Sequence, residues 1–328
     1  MLRWAIALGL LGLFAATVLI AKAGWQEVFS ALQEAGWKGV LIPALFHLIP
    51  MLACVLGWQA LWPGKTRASK MFFFYTLWLR SSINNLMPVA RIGGEVVAVR
   101  IMIKHGLRKA PSIACTVVET TLSALAQFAF VLLGVFSFLF YMAGKHGADS
   151  HIGWKLFIGL ALSLPFLGAF LYIQKVGIFT LFEKFFTFFL KDKWKSLSAG
   201  AARLDRSVRL MYKRKNTACY CFVMQFLSWA LCAVELWLVL YFLGHPLSLA
   251  ECLMLEALIQ GVWGAAFMVP AALGVQEAAF VFFGAMFGLP LEMALALAVL
   301  RRCRDIILYV PGLIAWQLQE GRWLLRKA

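Results

Sequence analysis

Apolar runs of about 20 residues, separated by short polar or basic stretches, dominate this chain and predict membrane-spanning helices. They fall at roughly Trp4–Ala21, Val40–Leu61, Ser112–Met142, Gly153–Ile173, Cys219–Leu243 and Leu291–Trp316. Two further apolar stretches are interrupted. One starts at Met71, runs into Arg80, Asn84, Asn85, Pro88, Arg91, Gly93, Gly94 and Glu95, and then continues helix-like to Lys104. The other runs over Ser248–Met268, breaks at Pro270 and Gly274, and resumes over Ala278–Phe287.

Basic residues decide how these segments sit, because Lys and Arg collect on the cytoplasmic side. With the N-terminus inside, the inner face gathers Arg3, then Lys65, Arg67 and Lys70, then Lys104, Arg108 and Lys109. It also holds the basic loop 174–216 and the tail residues Arg322, Arg326 and Lys327; the outer face holds only Lys22, Lys38, Lys145 and Lys155. That bias survives only if 71–104 enters from inside and returns inside. By the same count 248–287 enters from outside and returns outside. The expected architecture is all-α: a single polytopic domain over 1–328, with two re-entrant hairpins of opposite sense. Both termini lie in the cytoplasm, and the bacterial inner membrane is the expected location. The run at Trp4–Ile20 is read as an uncleaved first span, although Ala21-Lys22-Ala23 resembles a signal-peptidase site.

The two hairpins align at an offset of 182. Pro88 matches Pro270, Ala90 matches Ala272 and Glu95 matches Glu277; Gly106-Leu107 match Gly288-Leu289, and Ala114 matches Ala296. The expected repeat units are 71–142 and 248–318, inverted with respect to each other. Inverted repeats with broken helices build transporter sites near the bilayer midplane.

Composition agrees. Hydrophobic residues make up 62% of the 328, charged residues 14%, and 28 residues are Phe. Mean hydropathy is +0.82. A soluble domain of this size cannot hide so much apolar surface, so disorder and secreted disulfide scaffolds are excluded. The net charge of +16 is topology signal and attraction to anionic lipid, not a nucleic-acid footprint, since no nucleic-acid motif accompanies it. Phe179–Leu190 with its lysines reads as an interfacial amphipathic helix. The seven cysteines form no CxxC pair and read as buried small hydrophobes. Neither a metal site nor a cofactor motif is indicated. HExxH, GxSxG and Walker A patterns are absent from the sequence, so no enzyme is expected.

Ionisable groups at membrane depth are costly and mark function. In the first hairpin these are Arg80, Asn84, Asn85, Arg91, Glu95 and Arg100. Arg91 and Glu95 are four apart and share a helix face, so they form either a structural ion pair or an anion site built on Arg91. The second hairpin offers Gln260, Gln276 and Glu277. The last span carries Arg301, Arg302, Arg304 and Asp305, with Arg301 and Asp305 at pairing distance and Arg301 and Arg304 on one face. Glu119 stands at the repeat position of Arg301. Glu235 is a further partner for one of these arginines, and His47 reads as a satisfied core residue.

Asn85-Leu-Met-Pro-Val-Ala-Arg91-Ile-Gly-Gly-Glu95 and Pro270-Ala-Ala-Leu-Gly-Val-Gln-Glu277 resemble the flippase-like, lysylphosphatidylglycerol-synthase transmembrane-region family. Leu300-Arg-Arg-Cys-Arg-Asp305 and Val310-Pro-Gly-Leu-Ile-Ala-Trp316 look most like its hopanoid-biosynthesis-associated branch, HpnL. The resemblance implies an inner-membrane protein that handles an anionic or isoprenoid lipid. The partners it implies are membrane lipids, with a second copy of the chain or lipid-biosynthesis enzymes as protein partners. In place of the Arg and Asp that the family often carries after the first hairpin, this chain reads Val118-Glu119-Thr. No soluble aminoacyl-transferase domain accompanies the spans, so lysyl-lipid synthesis is not implied. The leading expectation is a lipid transporter with a head group held between Arg91 and the Arg301–Arg304 face. The rivals are an intramembrane lipid-modifying enzyme using Glu95 or Glu277 as base, and a non-transporting assembly factor for hopanoid enzymes.

Overall fold

A computed structural model describes residues 25–63, 69–87, 93–146, 206–265 and 274–325. The expected first span, the span 153–173, most of the basic loop, the Phe179–Leu190 helix and the hairpin tips with Pro88, Arg91 and Pro270 lie outside the described residues.

All regular structure among the described residues is helical. In chain order the helices are α1 (Trp25–Phe46), α2 (Leu48–Leu61), α3 (Lys70–Leu86), α4 (Gly93–Lys104), α5 (Lys109–His146), α6 (Lys215–Phe242), α7 (Leu249–Ala265), α8 (Val275–Met286) and α9 (Leu291–Leu325). A helical stretch, 206–213, precedes α6. Among the described residues, three segments are long and apolar enough to cross a membrane: Leu32–Leu61, Lys109–Lys145 and Lys215–Phe242. The first joins α1 and α2 across a turn at His47, just past Pro43. Helix α9 is 35 residues long, but Arg301, Arg302, Arg304 and Asp305 sit within its apolar stretch.

Local signals explain several ends. Ser69 caps α3, its hydroxyl accepting from Phe72 N at 3.1 Å. Ser248 and Glu251 form a capping box at the start of α7: Glu251 accepts from Ser248 N at 2.9 Å, and Ser248 Oγ accepts from Glu251 N at 3.2 Å. Gly106 after α4 and Gly288 after α8 both take positive φ, 92° and 83°, which only glycine adopts without strain. Each thereby turns the chain straight into the next long helix.

Element boundaries recur at the spacing expected from the sequence. Helices α4 and α8 start at 93 and 275 and end at 104 and 286, while α5 and α9 start at 109 and 291. Every one of these pairs differs by 182.

Buried apolar residues form two clusters. One gathers α2, α3, α4, the first turns of α5 (Ala114, Cys115, Val118, Leu122) and Cys221 near the start of α6. The other gathers α7, α8, the first half of α9, the last turns of α5 (Phe138, Met142) and Leu236–Leu243 at the end of α6. The interrupted segments therefore pack at opposite ends of the two long spans. Small residues bring the helices close, as suits association in lipid, where hydrophobic force between helices is absent. A Cβ on Gly134 of α5 would run into the Ala257 Cβ of α7, and one on Gly312 of α9 would strike Ser82 of α3.

Candidate functional site

Most charged side chains within the interrupted apolar segments and α9 are drawn inward, because a charge facing lipid costs several kcal/mol. They form three buried centres, each built on an arginine.

Arg80, on α3, is the hub of the first. Its Nη1 and Nη2 donate to Glu119 of α5 at 2.5 and 3.3 Å, and its Nε lies 3.2 Å from Glu95 of α4. Gln225 of α6 donates to Glu119 at 2.8 Å, and Asn84 donates to Glu95 at 3.0 Å while accepting from Gly94 N at 2.9 Å. The guanidinium also stands 5.2 Å over the Trp58 ring, a cation–π contact. Glu119 is 1% exposed, so Arg80 is what allows its charge at this depth.

In the second centre Arg301 of α9 donates through both terminal nitrogens to Glu256 of α7, at 2.7 Å each. Gln260 adds a bond to the same carboxylate at 2.6 Å, and the guanidinium lies 5.7 Å over the Phe280 ring of α8. Just along α9, Arg302 Nε donates to Glu277 of α8 at 3.1 Å.

The third centre joins α9 to α6 and to the α1–α2 turn. Arg304 donates to Asp305 at 3.1 and 2.6 Å and forms a short ion pair with Glu235. His47 Nδ1 lies 2.6 Å from Glu235 and its Nε2 3.1 Å from the Tyr309 hydroxyl.

Several expectations are corrected by these contacts. Asp305 pairs with its neighbour Arg304 and not with Arg301, because Glu256 claims both arms of Arg301 from across the helix interface. Arg301 and Arg304 therefore do not form an open anion-binding face. Each meets an internal carboxylate, the cheapest way to bury a guanidinium. Arg91 lies outside the described residues, and the carboxylate of Glu95 is taken by Arg80 and Asn84. Asn85 turns away from the centre, donating to Ser81 O at 2.9 Å. Gln276 is buried, and its Nε2 finds no hydrogen-bond partner among the described residues. Glu235 does pair with an arginine of the last helix, and His47 is a satisfied core residue, as expected.

The sequence reading overlooked Glu256, Gln225 and Tyr309, whereas Gln260 was among its second-hairpin candidates. Glu256 had a visible signal: it is a carboxylate midway along the apolar run 248–268, well past Glu251 at the start of that run. Gln225 and the tyrosine had none.

One group among the described residues has metal-ligand proximity: His47, Cys232 and Glu235 offer ligand atoms within 4.8 Å of one another. Arg304 already supplies the cation there, since it touches both Glu235 and His47 Nδ1, the latter at 3.3 Å.

An all-helical bundle with three apolar spans and arginine–carboxylate centres buried among its helices defines a polytopic integral membrane protein. The chain belongs to the lysylphosphatidylglycerol synthase transmembrane-region family, whose pattern it matches over residues 2–312. It is 25% identical over 311 residues to a "UPF0104 membrane protein" of Methanothermobacter thermautotrophicus, an alignment covering 89% of this chain and 88% of that one. No solved structure matches it.

Proposed function

We propose that the chain is a lipid transporter of the bacterial inner membrane, built as an inverted repeat of two re-entrant hairpins, with both termini cytoplasmic. The observation that carries this reading is the 182-residue recurrence of helix bounds combined with a reversal of charge. At the matching positions 119 and 301, α5 carries an acid held by a base on α3, while α9 carries a base held by an acid on α7. Helix lengths support the hairpins. At 12 residues, α4 and α8 reach only about 18 Å; at 17 residues, α3 and α7 reach about 25 Å. Both fall short of the roughly 30 Å hydrocarbon core. Packing of the two hairpins at opposite ends of α5 and α6 supports their opposite sense.

In this reading the buried centres are resting partners along a polar path. Arg80, Asn84, Asn85, Arg91, Glu95 and Glu119 serve one half, and Gln276, Glu277, Arg301, Arg304 and Asp305 the other. An anionic head group exchanges with an internal carboxylate on an arginine fork, which suits phosphate as well as carboxylate. The tails stay in the bilayer. The likeness of the C-terminal motif to the hopanoid-associated branch makes an isoprenoid lipid a second cargo class beside phospholipid. A chemical step is not part of the reading: Glu95 and Glu277, the bases a lipid-modifying enzyme would use, are each held by an arginine.

The test is reconstitution of the purified chain in liposomes with fluorescent phosphatidylglycerol in one leaflet. Lipid should change leaflet faster than in protein-free vesicles, with its mass unaltered. A change in lipid mass would favour the enzyme, and no movement with any anionic or isoprenoid lipid would overturn the transport reading.

A further inference from the structure

We propose that the open end of the α3–α4 pair binds one anionic phospholipid, with an acyl chain in a groove between α3, α4 and α9 and the phosphate at Lys104 and His105. That this lipid is the one taken up for transfer rests on the transport reading above; the binding site itself does not.

Helical spacing builds the groove. Met71, Phe74, Tyr75 and Trp78 line it from α3 at i, i+3, i+4 and i+7, the spacing of one helix face. Ile101 and Lys104, one turn apart, line it from α4, and Gln319 of α9 closes the third side. The space between them is about 770 Å³, within the roughly 300–1,000 Å³ that ligand pockets span. Met71 is 76% exposed, so the groove opens outward at this end.

Its walls suit hydrocarbon. The Tyr75 hydroxyl donates to Gln319 at 3.2 Å, and the Trp78 indole N–H donates to Leu308 O at 2.7 Å. With those polar atoms satisfied inside the protein, α3 presents rings and alkyl groups to the groove. Tyrosine and tryptophan are also the residues that settle at head-group level in a bilayer.

The mouth has the opposite character. His105 stacks on Phe72 with ring centroids 4.0 Å apart, which holds its imidazole beside Lys104. Lys104 Nζ lies 3.4 Å from Glu320, and Glu320 also pairs with Arg100. Two bases thus share one acid, and Lys70 directly precedes Met71, so the mouth carries an excess of positive charge. A lysine ammonium has three donors and serves Glu320 and a phosphate oxygen together, while a neutral imidazole still offers one N–H. An apolar slot with a basic mouth matches an amphiphile with an anionic head. A free phosphate leaves the slot empty, and a zwitterionic head brings no net charge to the mouth. In the topology proposed above, Lys104, Arg108 and Lys109 put this mouth at the cytoplasmic leaflet.

The experiment reconstitutes the full chain in liposomes containing phosphatidylglycerol or phosphatidylcholine with a diazirine on one acyl chain, and maps the photo-adducts by peptide mass spectrometry. The phosphatidylglycerol probe should mark residues 71–78 and 101–105 several-fold more than the phosphatidylcholine probe. Lys104→Gln should remove that preference. Ile101→Trp, which fills the slot, should lower labelling by both probes. Lys104 is exposed, so its variant decides the matter even if Ile101→Trp folds poorly. Equal labelling of these residues by the two probes, or labelling no denser than along the other apolar helices, overturns the site. So does a cross-link from p-benzoylphenylalanine in place of Met71 to another segment of this chain or to a second copy, because protein then covers the groove. In the lipid-transfer assay Lys104→Gln should slow transfer several-fold. A normal rate with the labelling preference lost overturns the uptake role and leaves the transport reading intact. If the wild type moves no lipid, the transport reading falls, and the photo-labelling still decides the site.

Discussion

Arg301 grips Glu256 with both terminal nitrogens at 2.7 Å, so a charge within the apolar stretch of the last helix is neutralised by helix α7. The pair also joins α9 to α7. Arg80 and Glu119 do the equivalent between α3 and α5, with the charges exchanged between the shorter and the longer helix.

Removing one member of such a pair should hurt far more than removing both. Glu256→Ala should cost about 3–5 kcal/mol by stranding Arg301, whereas Glu256→Leu with Arg301→Met should recover most of that loss. Thermal and denaturant unfolding in detergent measure both. A single substitution costing under about 1 kcal/mol, the value of an exposed pair, would mean that the pair is solvated.

Arg80 bridges two carboxylates, Glu119 and Glu95, which a lysine cannot reach together. Arg80→Lys should therefore slow lipid transfer about tenfold or more, in line with the loss of a charge-assisted hydrogen bond worth about 1.5–3 kcal/mol. The liposome assay reads the rate. A normal rate with lysine would show that charge alone suffices at this position.

Opposite hairpin sense has a direct chemical readout. In a background lacking the seven native cysteines, Arg108→Cys should react with an impermeant maleimide only from the cytoplasm, and Pro290→Cys only from outside. Labelling of both from the same side would remove the inverted repeat and the transport reading built on it.

Gly134 meets Ala257 so closely that an added Cβ overlaps it. Gly134→Val should destabilise the α5–α7 contact by about 1–3 kcal/mol through overpacking. Pairing it with Ala257→Gly should restore part of the loss. Lack of any effect on the melting temperature would show that the two helices slide apart freely.

Membrane class, the positions of the described helices and the interruptions of two apolar runs were legible in the sequence because each rests on local physics. Twenty apolar residues must span or hide, a glycine after a helix must turn it, and Lys104, Arg108 and Lys109 resist crossing. The predicted starts at Met71 and Leu291 lie within a residue of those of α3 and α9. The buried polar residues were also mostly legible, since any charge in an apolar run stands out. Their partners were not. Spacing along one helix suggested Arg301 with Asp305, yet a guanidinium takes whichever carboxylate its neighbours bring with the better geometry. Glu256 lies 45 residues away in sequence and on another helix. His47 met Glu235 across 188 residues, a contact that no periodicity encodes. The sequence alone determined which segments enter the membrane and which charges must be neutralised there. Tertiary packing decided which acid neutralises which base, because in low dielectric that choice depends on distances of a few ångströms between helices far apart along the chain.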